Sequence, residues 1–366
     1  MDNPQSISPR WASVDAFRGF VIARMLVGRP LLQAIQSLPH ETVPSAVLSQ
    51  FHHSPWHGLT WVDFSFSGFV MIMGLSVRLS LKRFKDTAVR AYFGKVIVRS
   101  VSLFFLGFLL NGGFSEPWPN IRLCGVLQRI GLCYFAVAMI YRWTDVKQRS
   151  ICLGCVLLGY WALLALVPVP GHSAGDFSFG GNLAAWVDAK LLPGRLFFGT
   201  WDPEGILTTV PAIGSGIVGL LWGDLLHSSR TMQEKAGWLA GVGLLAINLG
   251  YAWDVVFPIN KPLWTSSFVC VTSGIGSLLL AFFIWTAEVC SWKRLLFPFI
   301  VTGRNLLIAY AMVQLLPLHE FSLRLTGGDV SILLGPVGPF LTAAVEILLI
   351  WGVLYFLYRN QISVRL

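Results

Sequence analysis

Residues 58–81 read GLTWVDFSFSGFVMIMGLSVRLSL, an apolar run long enough to cross a bilayer. It holds an acid near its start, Asp63, and a base near its end, Arg78. The two lie 15 positions apart, about 22 Å of helix at ~1.5 Å per residue. Nine more stretches have the same character: 15–35, 96–113, 123–143, 150–169, 205–227, 236–253, 265–289, 296–317 and 331–358. With 55% hydrophobic and 12% charged residues, the chain of 366 has the composition of a polytopic membrane protein and not of a soluble domain. The expected fold is all-α, about ten transmembrane helices around a polar cavity, in one domain over 1–366.

The cavity is inferred from arginine. Arg18, Arg24, Arg29, Arg78, Arg99, Arg129 and Arg304 all fall inside these stretches, and no lysine does. An arginine at a helix centre costs roughly 2.5–3.5 kcal/mol. Seven of them facing lipid would cost on the order of 20 kcal/mol. They are therefore expected to face protein or water. A planar guanidinium donates two bonds at once to phosphate or carboxylate, so the cavity is expected to hold an anion.

The remaining cations set the orientation. With the N-terminus in the cytoplasm, fifteen of the 27 Lys and Arg fall in inner segments, Arg10, Arg365 and the run Lys82, Arg83, Lys85, Arg90, Lys95 among them. Only Arg122, Lys190, Arg195, Lys261 and Arg324 fall outside. This bias predicts both termini cytoplasmic. The net charge of +9 then reflects orientation and anionic lipid, and needs no nucleic acid. The first ten residues are polar, and no cleavage pattern follows them. All six cysteines lie in or beside spans. Cys152 and Cys155 form a CxxC without partner ligands, so no metal or redox role is expected.

The outer loops are long and the inner ones short. Residues 36–57 contain His40, His52, His53 and His57, and 170–204 contain an expected amphipathic helix from Asn182 to Leu192, whose Leu183, Trp186, Val187 and Leu191 suit an interface. His53 and His57 have the i,i+4 spacing of a metal pair, but Pro55 and Gly58 interrupt a helix there, and no glutamate completes the pattern. A neutral histidine acting as general base is the sharper reading of this segment, and an interfacial hydrogen-bonder the plainer one.

The segment His53-Ser-Pro-Trp56-His57-Gly58-Leu-Thr60-Trp-Val-Asp63 resembles the motif at the head of the second catalytic-domain span in the heparan-alpha-glucosaminide N-acetyltransferase family and its bacterial relatives. Five other blocks agree in order: Ser13 to Gly19, Gly125 to Ile130, Asp202-Pro203-Glu204-Gly205, Phe257 to Thr265, and Gly303-Arg304-Asn305. The resemblance implies a transmembrane acyltransferase, multi-pass in a bacterial inner membrane. Acetyl-CoA on the cytoplasmic side would be the donor, and an amino sugar or related glycan on the outer face the acceptor. His53 would either take the acceptor's proton or carry the acetyl group itself. Asp63 would orient a histidine or bind sugar hydroxyls; alternatively it pairs with a span arginine. Asp15 and Arg18, at i,i+3, form an expected pair.

Arg18, Arg78, Arg99 and Arg304, near cytoplasmic ends, are the expected CoA contacts. Gln128 and Arg129 lie deeper, for cofactor or oxyanion contact in preference to structural pairing. Trp56, His57, Asp202, Glu204, Lys261, Asn305 and Arg29 are the expected acceptor contacts. Expected partners are membrane lipid and the glycan, with a homodimer as an allowed assembly.

Two positions depart from the family pattern. Val27-Gly28-Arg29-Pro30 replaces an asparagine-bearing stretch, and Phe66-Ser67 replaces a Phe-Pro pair that would favour a kink. They leave open an acyltransferase for a hydroxyl acceptor on a glycan, lipid or metabolite. An anion-binding transporter or pseudoenzyme is the reading from another class. Transport would survive loss of His53, and enzymatic CoA release would not.

The charge bias gives a test of orientation. Single cysteines introduced within 170–204 should react with an impermeant maleimide from outside, and cysteines within 82–95 only after permeabilisation. The reverse pattern would invert the topology.

Overall fold

A computed structural model describes residues 11–38 and 43–363. His40, Arg10 and Arg365 lie outside the described residues. The long helices are α1 (Ala12–Gln36), α3 (Phe64–Leu81), α4 (Val89–Leu110), α5 (Val126–Trp143), α6 (Val146–Leu166), α8 (Ile206–Leu226), α9 (Met232–Asp254), α10 (Ser266–Ile284) and α15 (Gly338–Arg359). Shorter ones are α2 (Ser45–Ser49), α7 (Leu183–Leu191), α11 (Phe297–Arg304), α12 (Leu306–Leu315), α13 (Leu318–Thr326) and α14 (Asp329–Leu334). No strand occurs among the described residues. The chain is thus an all-helical polytopic membrane protein.

Helix occupies all ten expected positions, but among the described residues seven stretches are long and apolar enough to cross a membrane, or up to eight if a bent pair counts as one span. The difference has a physical cause. Helix α1 is diluted by Asp15, Arg18, Arg24 and Arg29, and the 18-residue α5 carries Gln128, Arg129 and Arg142. The bent pair is α11 and α12, which meet at 79°. Asn305 breaks the helix there, with ψ at 48°.

Contacts gather the chain into two compact units. The first comprises residues up to 39, 230–240 and 278–365. Here α1 packs on α11 so closely that a Cβ on Gly19 would strike the Phe299 carbonyl, and one on Gly303 the Asp15 carbonyl. Phe17, Phe20, Phe283 and Phe299 fill the space beside them with tilted and edge-on rings. The Ser13 hydroxyl and amide both donate to Glu288, each at 3.2 Å.

The second unit comprises 40–229 and 241–277, with α3 and α8 at its centre. Nearly every residue of α3 from Phe64 to Leu75 is buried. Close approach of the two backbones explains the glycines: a Cβ on Gly74 would strike the Gly216 carbonyl, and one on Gly219 the Met71 carbonyl. In lipid, where apolar surface gains little by pairing, such small-residue contact is what holds helices together. Around this seam Val70, Met73, Val137, Ile217, Leu220 and Phe268 form one apolar cluster.

Helix α7 forms where an amphipathic helix was expected, with the Asn182 side chain capping it through Ala185 N–H at 2.8 Å. Its apolar residues divide: Leu183 is buried against Tyr160, Val169 and Phe257, while Trp186 and Leu191 stay exposed. Asp188 on the same helix has no exposed surface and accepts from Ile206 N–H at 3.0 Å and Asp202 N–H at 3.4 Å. It thereby caps α8, whose N-cap, Gly205, has no side chain to do so. Burial pushes this carboxyl up to about 6.

Arg122 holds the same corner. It donates to both oxygens of Asp202 at 2.8 Å and to Glu204 at 2.5 Å. Burial alone would raise Asp202, but the guanidinium outweighs it and holds the carboxyl below its usual range. Glu204 is pushed up, chiefly by burial. Removing one partner of a buried pair leaves a charge uncompensated, at about 3–5 kcal/mol. Arg122→Met should therefore lower the melting temperature in detergent markedly, and adding Asp202→Asn should restore part of the loss. An unchanged melting temperature would mean that the trio contributes no stability.

Candidate functional site

Thr60-Trp61-Val62-Asp63 starts the helix that becomes α3, with a reciprocal cap. The Thr60 amide and hydroxyl donate to Asp63 Oδ2 at 3.1 and 2.9 Å. Ser54 N–H donates to the same oxygen at 3.2 Å. The other oxygen, Oδ1, faces His53 Nδ1 at 2.7 Å and Lys261 Nζ at 3.3 Å. Asp63 has no exposed side-chain surface, whereas the His53 side chain is 58% exposed.

A carboxylate can only accept, so the proton between the two lies on His53 Nδ1. Its Nε2 then carries the lone pair, on a side chain that is more than half exposed. An orienting acid, a locked tautomer and a ring nitrogen with its lone pair are the parts of a general base or an acyl-carrying nucleophile. The cation of Asp63 is Lys261 and not a span arginine.

Lys261 reaches this place because its turn is clamped to the histidine loop. Gly58, at φ +108°, donates its N–H to the Ile259 carbonyl at 2.8 Å. Asn260 donates to the Trp56 carbonyl and accepts from Leu263 N–H, both at 2.8 Å. Trp264 is a non-glycine residue at φ +51°, a conformation costing about 1–3 kcal/mol. It is held there by a bond from its indole to Ser215 Oγ at 3.1 Å and by edge-on packing against Phe66 and Phe268. His57, exposed, meets Asp254 at 2.8 Å, and Asp254 also accepts from Ile259 N–H. Beside the loop, Trp56 packs edge-on to Trp201 and Phe179 and donates to the Phe177 carbonyl at 3.1 Å.

Arg129 is 1% exposed, with its guanidinium 5.0 Å from the centre of the Trp264 ring and 5.6 Å from that of Phe66. Nη2 donates to the Pro203 carbonyl and to Thr208 Oγ1. Its Nε and Nη1, and both polar atoms of the Gln128 amide, are buried without a partner among the described residues. Buried polar groups are rarely left so, and four such atoms on adjacent residues mark a place built for something else.

The other expected residues are spread more widely. Arg78 donates to Asp224 at 2.6 Å, and Arg149, which the sequence places in an inner loop, is buried and shares that carboxylate. Arg99 lies over the Tyr134 ring at 4.7 Å. Asp202 and Glu204 are joined to Arg122. In the first unit Arg18 pairs with Asp15 at 3.7 Å, as the spacing predicts. Arg29 is exposed on α1, and the Asn305 amide donates to the Ile362 carbonyl at 3.1 Å. Arg304 stands over the Tyr358 ring at 4.4 Å and lines a cavity of about 500 Å³ with Lys293, Arg294, Asp15, Phe297 and Tyr358. Asn260, Trp264 and Asp254 were not legible as site residues. The only signal for Asn260 and Trp264 was their presence in the block that carries Lys261, and Asp254 lies just before that block.

A helical membrane protein with a His–Asp–Lys group at the head of a buried helix is the class these features define. No family model matches the chain. Among curated proteins it is similar to the heparan-alpha-glucosaminide N-acetyltransferase of Mus musculus, 28% identical over 71% of this chain and 48% of that protein. It is likewise similar to the Homo sapiens protein of the same name, 27% identical over 83% of this chain and 53% of that one. The chain is related to this family and spans about half the length of the curated relatives it matches.

Proposed function

We propose that the protein transfers an acetyl group from acetyl-CoA on the cytoplasmic side to an amino sugar on the outer face of a bacterial inner membrane. The observation that carries this is the His53–Asp63 pair, an exposed imidazole whose tautomer is set by a buried carboxylate. The acceptor amine attacks the thioester carbon as His53 Nε2 takes the amine proton, and the CoA sulfur leaves and recovers that proton. In the alternative order, Nε2 attacks first and then passes the acetyl group to the amine. The unpartnered donors of Gln128 and Arg129 suit the carbonyl and amide oxygens of the thioester arm. The aromatic faces of Trp56 and Phe179 suit a sugar ring.

The cavity in the first unit has the chemistry for a phosphate, since Arg304, Lys293 and Arg294 outnumber Asp15 on its wall. Arg78 is engaged by Asp224, which favours a structural share in its role. A hydroxyl acceptor is the second reading, favoured by Gly28-Arg29 at the place of the family's asparagine. A panel of amino sugars against their hydroxyl counterparts separates the two.

His53→Ala should abolish CoA release from acetyl-CoA and glucosamine while calorimetry still detects CoA binding. His57→Ala should be milder. Near-normal turnover without His53 would remove it from the mechanism. Arg304→Ala should weaken CoA binding about ten- to a hundredfold, the equivalent of ~1.5–3 kcal/mol for a charge-assisted bond. An unchanged dissociation constant would move the phosphate site elsewhere.

A further inference from the structure

We propose that Lys261 is a catalytic residue, the cation that meets the oxyanion formed when the thioester carbonyl is attacked; this rests on the acyltransferase reading above. Its Nζ lies 2.8 Å from His53 Nδ1 and 3.3 Å from both His53 Nε2 and Asp63 Oδ1. With Nδ1 protonated toward Asp63, that nitrogen offers the ammonium no acceptor, so the lysine stands beside the imidazole with its charge set against Asp63 Oδ1. Asp63 is in any case well supplied, with Thr60 and Ser54 filling Oδ2 and His53 on Oδ1.

Charge accounting gives the ammonium its task. At rest the group holds one carboxylate, one ammonium and a neutral imidazole, so its sum is zero. At the transition state the imidazole becomes a cation and the carbonyl oxygen an anion. Asp63 faces the first of these charges and Lys261 the second, so the sum stays zero while each new charge has a counter-charge in contact. Without Lys261 the oxyanion would form beside a carboxylate.

The distances close after a small movement of the lysine. A proton donor bound to Nε2 at about 2.9 Å carries the attacked carbon ~1.5 Å further on and its oxygen ~1.3 Å beyond that. The ammonium, 2.8 Å from Nδ1 and 3.3 Å from Nε2 at rest, meets that oxygen by swinging toward it on its flexible stem.

The step balances without any further reagent. The amine nitrogen forms a bond to the acyl carbon, the carbon–oxygen π pair moves to oxygen, and the amine proton passes to Nε2. The oxyanion then collapses, the carbon–sulfur bond breaks, and the thiolate takes the proton from Nε2. Lys261 keeps its own protons throughout.

The test is steady-state kinetics of the purified full chain in liposomes, with acetyl-CoA and glucosamine and the released thiol measured. Lys261→Met should lower kcat about 10²–10³-fold, the usual loss for an oxyanion donor, with KM for both substrates within about threefold and CoA affinity by calorimetry unchanged. Lys261→Arg, which keeps the charge, should recover activity to within about tenfold of wild type. If the methionine variant fails to fold, Lys261→Gln carries the same expectation. A wild type that releases no CoA overturns the acyltransferase reading and this proposal with it. An active wild type with kcat kept within threefold in the methionine or glutamine variant overturns the role of Lys261 alone. So does a rise in KM at constant kcat, which would make the lysine a ground-state contact, and so does a failure of arginine to rescue.

Discussion

A carboxylate without exposed surface stays charged only where donors surround it. Asp63 meets that condition with groups drawn from three places in the chain. Ser54 and His53 come from the loop before it, Thr60 from its own helical cap, and Lys261 from a turn some two hundred residues later. Each donor constrains the segment it belongs to, and the same carboxylate fixes which nitrogen of His53 carries the proton. Helix start, loop closure and side-chain tautomer thus share one cause.

The clamp around this group shows how the constraint spreads. Asn260 bonds the histidine loop and its own turn together, and Trp264 tolerates a left-handed backbone because its indole is fully enclosed. Arg129 lies against that same indole and reaches back to the Pro203 carbonyl ahead of α8. Cation, ring and carbonyl share one guanidinium, yet part of its donor capacity stays unused, as does the whole Gln128 amide. Four buried polar atoms without a partner on two adjacent residues have the profile of a binding site.

Other arginines of the helices show two solutions to the cost of a charge in an apolar setting. Some pair with acid, as Arg78 and Arg149 do on Asp224. Others lie over aromatic rings, as Arg99 and Arg304 do on Tyr134 and Tyr358. A ring face attracts a cation without adding a charge of its own, so such an arginine keeps its net charge for a ligand. Arg304 combines that arrangement with a cavity, which is why it leads the candidates for a phosphate.

Hydropathy alone established an all-helical membrane chain, because repeated apolar runs of spanning length have no soluble alternative. The Asp15–Arg18 pair was equally local, since it depends on spacing along one helix. The motif around His53 marked the histidine and Asp63, yet could not say what Asp63 binds. That Lys261 completes their group, that Arg122 takes up Asp202 and Glu204, and that Arg149 is buried on Asp224 are decisions of the tertiary structure. Each joins residues tens to hundreds of positions apart, and sequence periodicity reports only on neighbours within a few turns of helix. The span count shows the same boundary from the other side. Helices α1 and α5 form where the sequence predicts them, but charge makes both less apolar than the other spans, and a guanidinium there needs a partner, drawn from the same helix for Arg18 and from distant residues for Arg129.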